Sequence, residues 1–162
     1  MPSDPTAPFD LGLLSPATAG HDAEVSDDAV VDALVAAEVA LVRAHAALGV
    51  ADTALADEVS RTLGWQGPLT GCRGHGVDAA SLAAAGVADG NPVIPLVGLL
   101  KERVPEAAAW LHRGATSQDV LDTALVLVAH RAVSRIVASL RETDAALTAL
   151  AHAHRDTVAA AR

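Results

Sequence analysis

The stretch from Ser117 to His154 contains neither proline nor glycine, and it limits what this chain can fold into more than any other feature. Leu121, Leu125, Val128, Ala132, Ile136, Leu140, Leu147 and Leu150 recur along it at helical spacing. At ~1.5 Å per residue the pattern predicts one helix of roughly 55 Å, longer than a compact domain needs. Helices of that length belong to bundles or coiled coils, where partner helices cover the apolar stripe. No other segment of the 162 residues is long enough to be that partner. Either other chains supply one, or the sequence stops before its own partners begin.

The remainder predicts shorter helices. Ser26 followed by Asp27 and Asp28 marks a helix start, and Val31, Leu34, Val35, Leu41, Val42 and Leu48 continue it to Gly49. Glu38 interrupts that stripe. It reads as a partly buried carboxylate paired with an arginine or a backbone group, with a catalytic role as the alternative. Asp52 caps a second helix carrying Leu55, Val59 and Leu63. From Gly64 to Gly76 five glycines and Pro68 break all periodicity, which predicts a mobile surface loop, or a lid over a site. No phosphate-loop spacing is present there. Asp78 to Ala85 reads as a helix ending at Gly86. Asn91-Pro92 reads as an N-cap with proline at the first helical position, and Pro105 opens a short turn toward Trp110 and Leu111.

Composition supports an all-α class: 51% of residues are hydrophobic, mainly Ala, Val and Leu, while Phe9, Trp65 and Trp110 are the only aromatics. The expected organisation is a flexible N-terminal arm over 1–20, an N-terminal helical domain over 21–115, and the incomplete start of a central helical bundle over 116–162. With 11 basic and 20 acidic residues and a net charge of -9, no positive face for nucleic acid or an anionic membrane is expected. Apolar runs are interrupted by Asp, Glu and Arg, so no membrane span is expected either. The first twenty residues lack the pattern of a secretory signal, and the chain reads as cytoplasmic. Cys72 has no disulfide partner, and His152-Ala-His154 places its two imidazoles on different sides of a helix, so no metal site is expected.

The segment His112-Arg113-Gly114-Ala115-Thr116-Ser117-Gln118-Asp119 opens the long helix. Thr116 and Asp119 fit a capping pattern, and Gly114 lets the chain enter the helix sharply. Capping alone explains those two residues but not Ser117 and Gln118. Two hydroxyls and an amide at a helix N-terminus, beside free backbone N–H groups, also make a carboxylate site.

His112-x-Gly-Ala-Thr-Ser-Gln-Asp-x-x-Asp-Thr-Ala resembles the first signature of the fumarase/aspartase superfamily. With Gly90-Asn91-Pro92-Val93-Ile94-Pro95-Leu96-Val97 upstream and His154-Arg155-Asp156-Thr157 downstream, residues 26–162 are most similar to the bacterial 3-carboxy-cis,cis-muconate cycloisomerases. Adenylosuccinate lyases usually carry Thr-Ser-Ser-Asp and a His-Asp pair where this chain has Gln118 and Asn91-Pro92. The resemblance implies an all-helical subunit, a homotetramer sharing a helical bundle, active sites built from three subunits, and no cofactor. It implies a small tricarboxylate-type substrate, lactonised to 4-carboxymuconolactone in aromatic-compound degradation. Thr116, Ser117 and Gln118 would be carboxylate donors, His112 a polar wall or proton relay, and Asn91 a donor from a facing loop. His112 could instead only orient its loop, and Asn91 only cap its helix. The later Gly-Ser-Ser-x-Met-Pro-x-Lys-x-Asn signature, which carries the catalytic serine, is missing from these residues. The sequence therefore reads as the N-terminal part of such an enzyme, with little turnover expected from these residues alone. Another lyase of the superfamily, or a non-catalytic helical assembly module, are the competing readings.

Overall fold

The structure is a computed structural model, and it describes residues 13–14, 20–158 and 160. The expected arm over 1–20 therefore falls almost wholly outside the described residues. After a 3-10 turn at Ala23–Val25 come α1 (Asp27–Ala47), α2 (Thr53–Thr62), a hairpin of β1 (Trp65–Gly67) and β2 (Gly71–Cys72), α3 (Ala79–Asp89), α4 (Val93–Arg103), a 3-10 turn at Pro105–Ala107, and α5 (Ser117–Ala153). The all-α class holds, with one small hairpin added.

Helix α1 is the centre of the molecule and touches α2, α3, α5 and the hairpin. Ser26 starts it, its hydroxyl accepting the Ala29 N–H at 3.3 Å. Val31, Leu34, Val35, Val39 and Val42 are buried, together with Ala33 and Ala36, whose small side chains let neighbours approach from further sides. Leu63, Cys72, Leu82, Val93, Leu96, Leu100 and Leu111 complete the same core. Burial is spread around most of the helix, as befits an element covered on several faces.

Residues 64–76 are more ordered than expected of a mobile loop. Trp65 pairs with Cys72 in antiparallel register, and the Arg73 N–H donates to the Gly64 carbonyl at 2.9 Å. Cys72 is fully buried, and burial, reinforced by the nearby Asp32 carboxylate, pushes its thiol up to about 12, so it is no nucleophile. Arg131 of α5 clamps the turn, donating to the Leu69 and Thr70 carbonyls at 2.9 and 2.7 Å. His75 is buried between the Asp32 carboxylate, 2.9 Å from its Nε2, and the Val77 N–H, which donates to its Nδ1 at 3.1 Å. Asp32 lies 43 residues from His75 and Arg131 62 residues from Leu69, beyond the reach of any local pattern.

Two helix boundaries also differ. Helix α3 runs through Gly86 and ends at Gly90, which has φ 74. A Cβ on Gly86 would come within 3.3 Å of the Pro92 Cα, so that glycine serves close packing inside the helix. Helix α4 begins at Val93 with Pro92 as the cap, one residue later than expected, and the Asn91 Oδ1 accepts the Val93 N–H at 2.8 Å.

Helix α5 has the predicted length, but its contact face is shifted. Val120, Ala124 and Val128 are the buried residues, whereas Leu125 is 54% exposed and Ile136, Leu140, Leu147 and Leu150 lie open. The helix thus carries an inner stripe against α1 and a second, uncovered one. The expectation that no stretch could span a membrane needs correction. An 18-residue window of α5 has mean hydropathy 1.4, and only 17% of it is buried, so length and composition alone would allow a crossing. Few charges interrupt this window, although Arg131 within the helix is spent on the hairpin carbonyls.

The hairpin closure gives a test. Gly64 has φ +67, and an added Cβ would sit 1.7 Å from the Arg73 carbonyl oxygen, whereas at Gly49, with φ +71, nothing lies within 4 Å. Gly49→Ala should cost only the left-handed backbone strain, about 1 kcal/mol. Gly64→Ala should cost about 2–4 kcal/mol because the hairpin must also open. Urea unfolding of both variants checks the difference, and equal losses would contradict the closure described.

Candidate active site

The polar residues at the start of α5 are held from below by α1. Glu38 lies on α1 with no exposed surface. Its Oε2 accepts the backbone N–H of His112 at 2.8 Å, and its Oε1 lies 2.7 Å from the His112 Nδ1. One residue thus occupies both oxygens of one buried carboxylate. Turning its peptide N–H and ring inward together gives His112 φ 59, the only positive φ of a non-glycine among the described residues. Two helical turns along α1, the His45 Nε2 lies 3.0 Å from the Arg113 carbonyl oxygen, so donating to it in the matching tautomer. The His45 ring sits 5.6 Å from Trp110, and the Arg113 guanidinium stacks over Trp110 at 4.4 Å. Residues 110–113 are therefore pinned by two side chains of one helix face.

Gly114, at φ 80, then turns the chain into α5. The expected capping box is formed. The Thr116 hydroxyl accepts the Asp119 N–H at 3.3 Å, and the Thr116 N–H donates to the Asp119 Oδ2 at 2.7 Å. The Thr116 hydroxyl also donates to that carboxylate at 2.7 Å. Gln118 donates from Nε2 to the Asp122 Oδ1 at 2.7 Å. The Ser117 side chain and the His112 Nε2 have no hydrogen-bond partner among the described residues. Thr116, Gln118 and Asp119 are exposed, so the site lies open.

The hydrogen bond from the Thr116 backbone, then that from its hydroxyl, hold the Asp119 carboxyl below its ordinary value. An ionised Asp119 thus already occupies part of the positive helix end. Among the expected donors, Thr116 is committed to the cap, while Ser117 and the amide of Gln118 are the ones that can turn outward.

His112, Thr116, Ser117 and Gln118 fall together; Asn91 does not join them. It stands at the α3–α4 corner, where it caps Val93 and edges an apolar cleft of about 460 Å³ lined by Val30, Val31, Leu34, Leu82 and Val87. Glu38 pairs with a backbone group, as one expectation had it, but its second partner is His112 rather than an arginine. Sequence reading missed His45, Trp110 and Arg113, since no local spacing links them to α5. The one available signal was Glu38 itself, an acid inside an apolar stripe. No group of three or more potential metal ligands occurs among the described residues, and His152 and His154 are exposed.

The capping carboxylate gives a pH test. Because the Asp119 value is lowered on folding, its contribution is fully present above the ordinary aspartate value of 3.8 and is lost as pH falls below it through the lowered value. Asp119→Asn should flatten that acid limb in chemical unfolding between pH 5 and about pH 2, at which native carboxylates titrate. An acid limb unchanged by the substitution would contradict the ionised cap.

A family model described as Lyase matches residues 80–162. The chain is 43% identical over 162 residues to a nitrosuccinate lyase of Streptomyces davaonensis, covering 96% of this chain and 32% of that protein. It is 38% identical over 157 residues to a 3-carboxy-cis,cis-muconate cycloisomerase of Bradyrhizobium diazoefficiens, covering 93% of this chain and 33% of that protein. Among solved structures it resembles a fumarate lyase from Mesorhizobium sp. BNC1, with TM-score 0.70 and 33% identity, over 86% of this chain and 31% of that one. The chain spans about a third of the length of each of these relatives.

Proposed function

Because this chain belongs to the lyase family, within the fumarase/aspartase superfamily, we propose that the start of α5 is the carboxylate-holding part of a lyase-type active site for a small polycarboxylate. The observation that carries this reading is that two polar groups close in sequence to this helix N-terminus, the Ser117 hydroxyl and the His112 Nε2, have no hydrogen-bond partner among the described residues. Reactions of this class make or break a bond one carbon away from a carbon that gains or loses a proton. The electron pair left on that carbon is stabilised when an adjacent carboxylate is held by fixed donors. Ser117 and the amide of Gln118 would hold such a carboxylate, and His112 would exchange the proton or accept a hydrogen bond.

Two substrates compete within the class. In lactonisation of 3-carboxy-cis,cis-muconate, a carboxylate oxygen adds to one alkene carbon and a proton to its neighbour. The Thr-Ser-Gln-Asp block and the cycloisomerase relative support it. The higher identity to a nitrosuccinate lyase supports a C–N bond as the one broken. The uncovered stripe of α5 supports assembly through helix packing; the homotetramer, the lack of a cofactor and a cytoplasmic setting rest on the family resemblance alone. A purely structural assembly module would use that stripe and leave Ser117 idle.

The test is a nitrogen-15 titration of the 162-residue chain with 3-carboxy-cis,cis-muconate and, separately, with nitrosuccinate. Saturable shifts centred on the Ser117 and Gln118 amides are expected, and the tighter ligand identifies the substrate. Ser117→Ala should weaken binding about tenfold, equivalent to about 1.4 kcal/mol. No saturable shift at these amides with either compound would sink the reading.

A further inference from the structure

We propose that Glu38 is a positioning residue that fixes the neutral ring of His112 as its Nδ1–H tautomer, so that Nε2, on a residue five positions before α5, is left as a proton acceptor. Use of that acceptor on a substrate rests on the function proposed above; the tautomer itself does not.

The geometry leaves few alternatives. The peptide N–H of His112 is a permanent donor and takes Oε2 of Glu38 at 2.8 Å. The remaining oxygen, Oε1, sits 2.7 Å from Nδ1, a distance at which one of the two atoms must carry a hydrogen. An ionised carboxylate carries no hydrogen and accepts on both oxygens, whereas a ring nitrogen can donate. The shared hydrogen therefore belongs to Nδ1, and the carboxylate accepts twice. In the neutral ring Nε2 is then bare. It has no partner among the described residues, and the His112 side chain is 23% exposed. Free histidine side chains in water favour the opposite, Nε2–H form. Glu38 thus converts a ring that would present a donor into one that presents a lone pair. The left-handed φ of 59 at His112 is the cost of aiming both its nitrogens at one carboxylate.

His75 shows the reverse setting in the same molecule. Its Nδ1 accepts the Val77 N–H, so its hydrogen must be on Nε2, donated to Asp32. That ring has both nitrogens committed and is 6% exposed, which suits a purely structural role.

Glu38→Gln tests the inference without changing side-chain shape. The amide oxygen must keep the peptide N–H of His112, because an NH2 group cannot face another donor. The amide NH2 then faces Nδ1, which can only accept, and the ring hydrogen moves to Nε2. Long-range proton–nitrogen correlation spectra of the histidine-labelled 162-residue chain, with His112 assigned by its loss in His112→Asn, read the tautomer directly. The expected result is an unprotonated Nε2 in the parent and an unprotonated Nδ1 in Glu38→Gln, with His75 unchanged in both. Thr116→Ala should leave the His112 pattern as in the parent. An Nε2–H ring in the parent, a ring protonated on both nitrogens up to pH 9, or a folded Glu38→Gln that keeps Nδ1–H would each overturn the inference. Should Glu38→Gln fail to fold, the parent spectrum alone still decides it. No substrate is needed, so failure of ligand binding at Ser117 and Gln118 leaves this result standing. A reversed tautomer with intact binding defeats this inference alone.

Discussion

A single buried carboxylate organises the functional end of this molecule. An isolated charge taken out of water costs several kcal/mol, so Glu38 can sit wholly inside the core only if donors come to it. Both donors come from His112, 74 residues later. Meeting that demand fixes the chain at 112, and His45 then fixes the next carbonyl. Four residues beyond His112, Thr116 caps α5. The launch point of the long helix, and with it the placement of Ser117 and Gln118, follows from a charge on α1. The same helix repeats the device at Asp32, which anchors His75 and through it the far side of the hairpin. No buried side-chain polar atom among the described residues lacks a partner, so the buried member of each pair, Glu38 and His75, is satisfied.

What was legible in sequence was what physics writes locally. Ser26, Asp52 and Thr116 cap helices through bonds to amides two or three residues away, and each was readable from its neighbours. The length of α5 was readable because nothing in 117–153 interrupts a helix. The hairpin was not, because its strands are only three and two residues long and its restraints come from Arg131 and Asp32. Gly86 misled for a related reason: a glycine that stops a helix and one that admits a neighbouring backbone look the same in a string of letters. Of the site, the Thr116–Gln118 cluster and the capping role of Asn91 were visible as motifs, whereas the partner of Glu38 depends on tertiary packing.

The shifted face of α5 also has a physical reading. Val120, Ala124 and Val128 join the small N-terminal core, where α5 packs on α1, the 3-10 turn at Ala23–Val25 and α4. The stripe through Leu125, Ile136, Leu140 and Leu147 is surplus to that core. In a chain spanning about a third of its relatives, such a surplus is what a helix shared with further helices would carry. The same surplus raises the hydropathy of α5 into the range of a membrane span, which shows how little that measure distinguishes one apolar environment from another.

Native-state hydrogen exchange at the His112 amide probes the Glu38 anchor most directly. If the buried carboxylate holds the loop, that amide should open only with the core and exchange as slowly as Val35 and Val39 on α1. Exchange at the rate of an unprotected turn amide such as Gly114 would show that the loop moves free of α1, and would contradict the anchoring role assigned to Glu38.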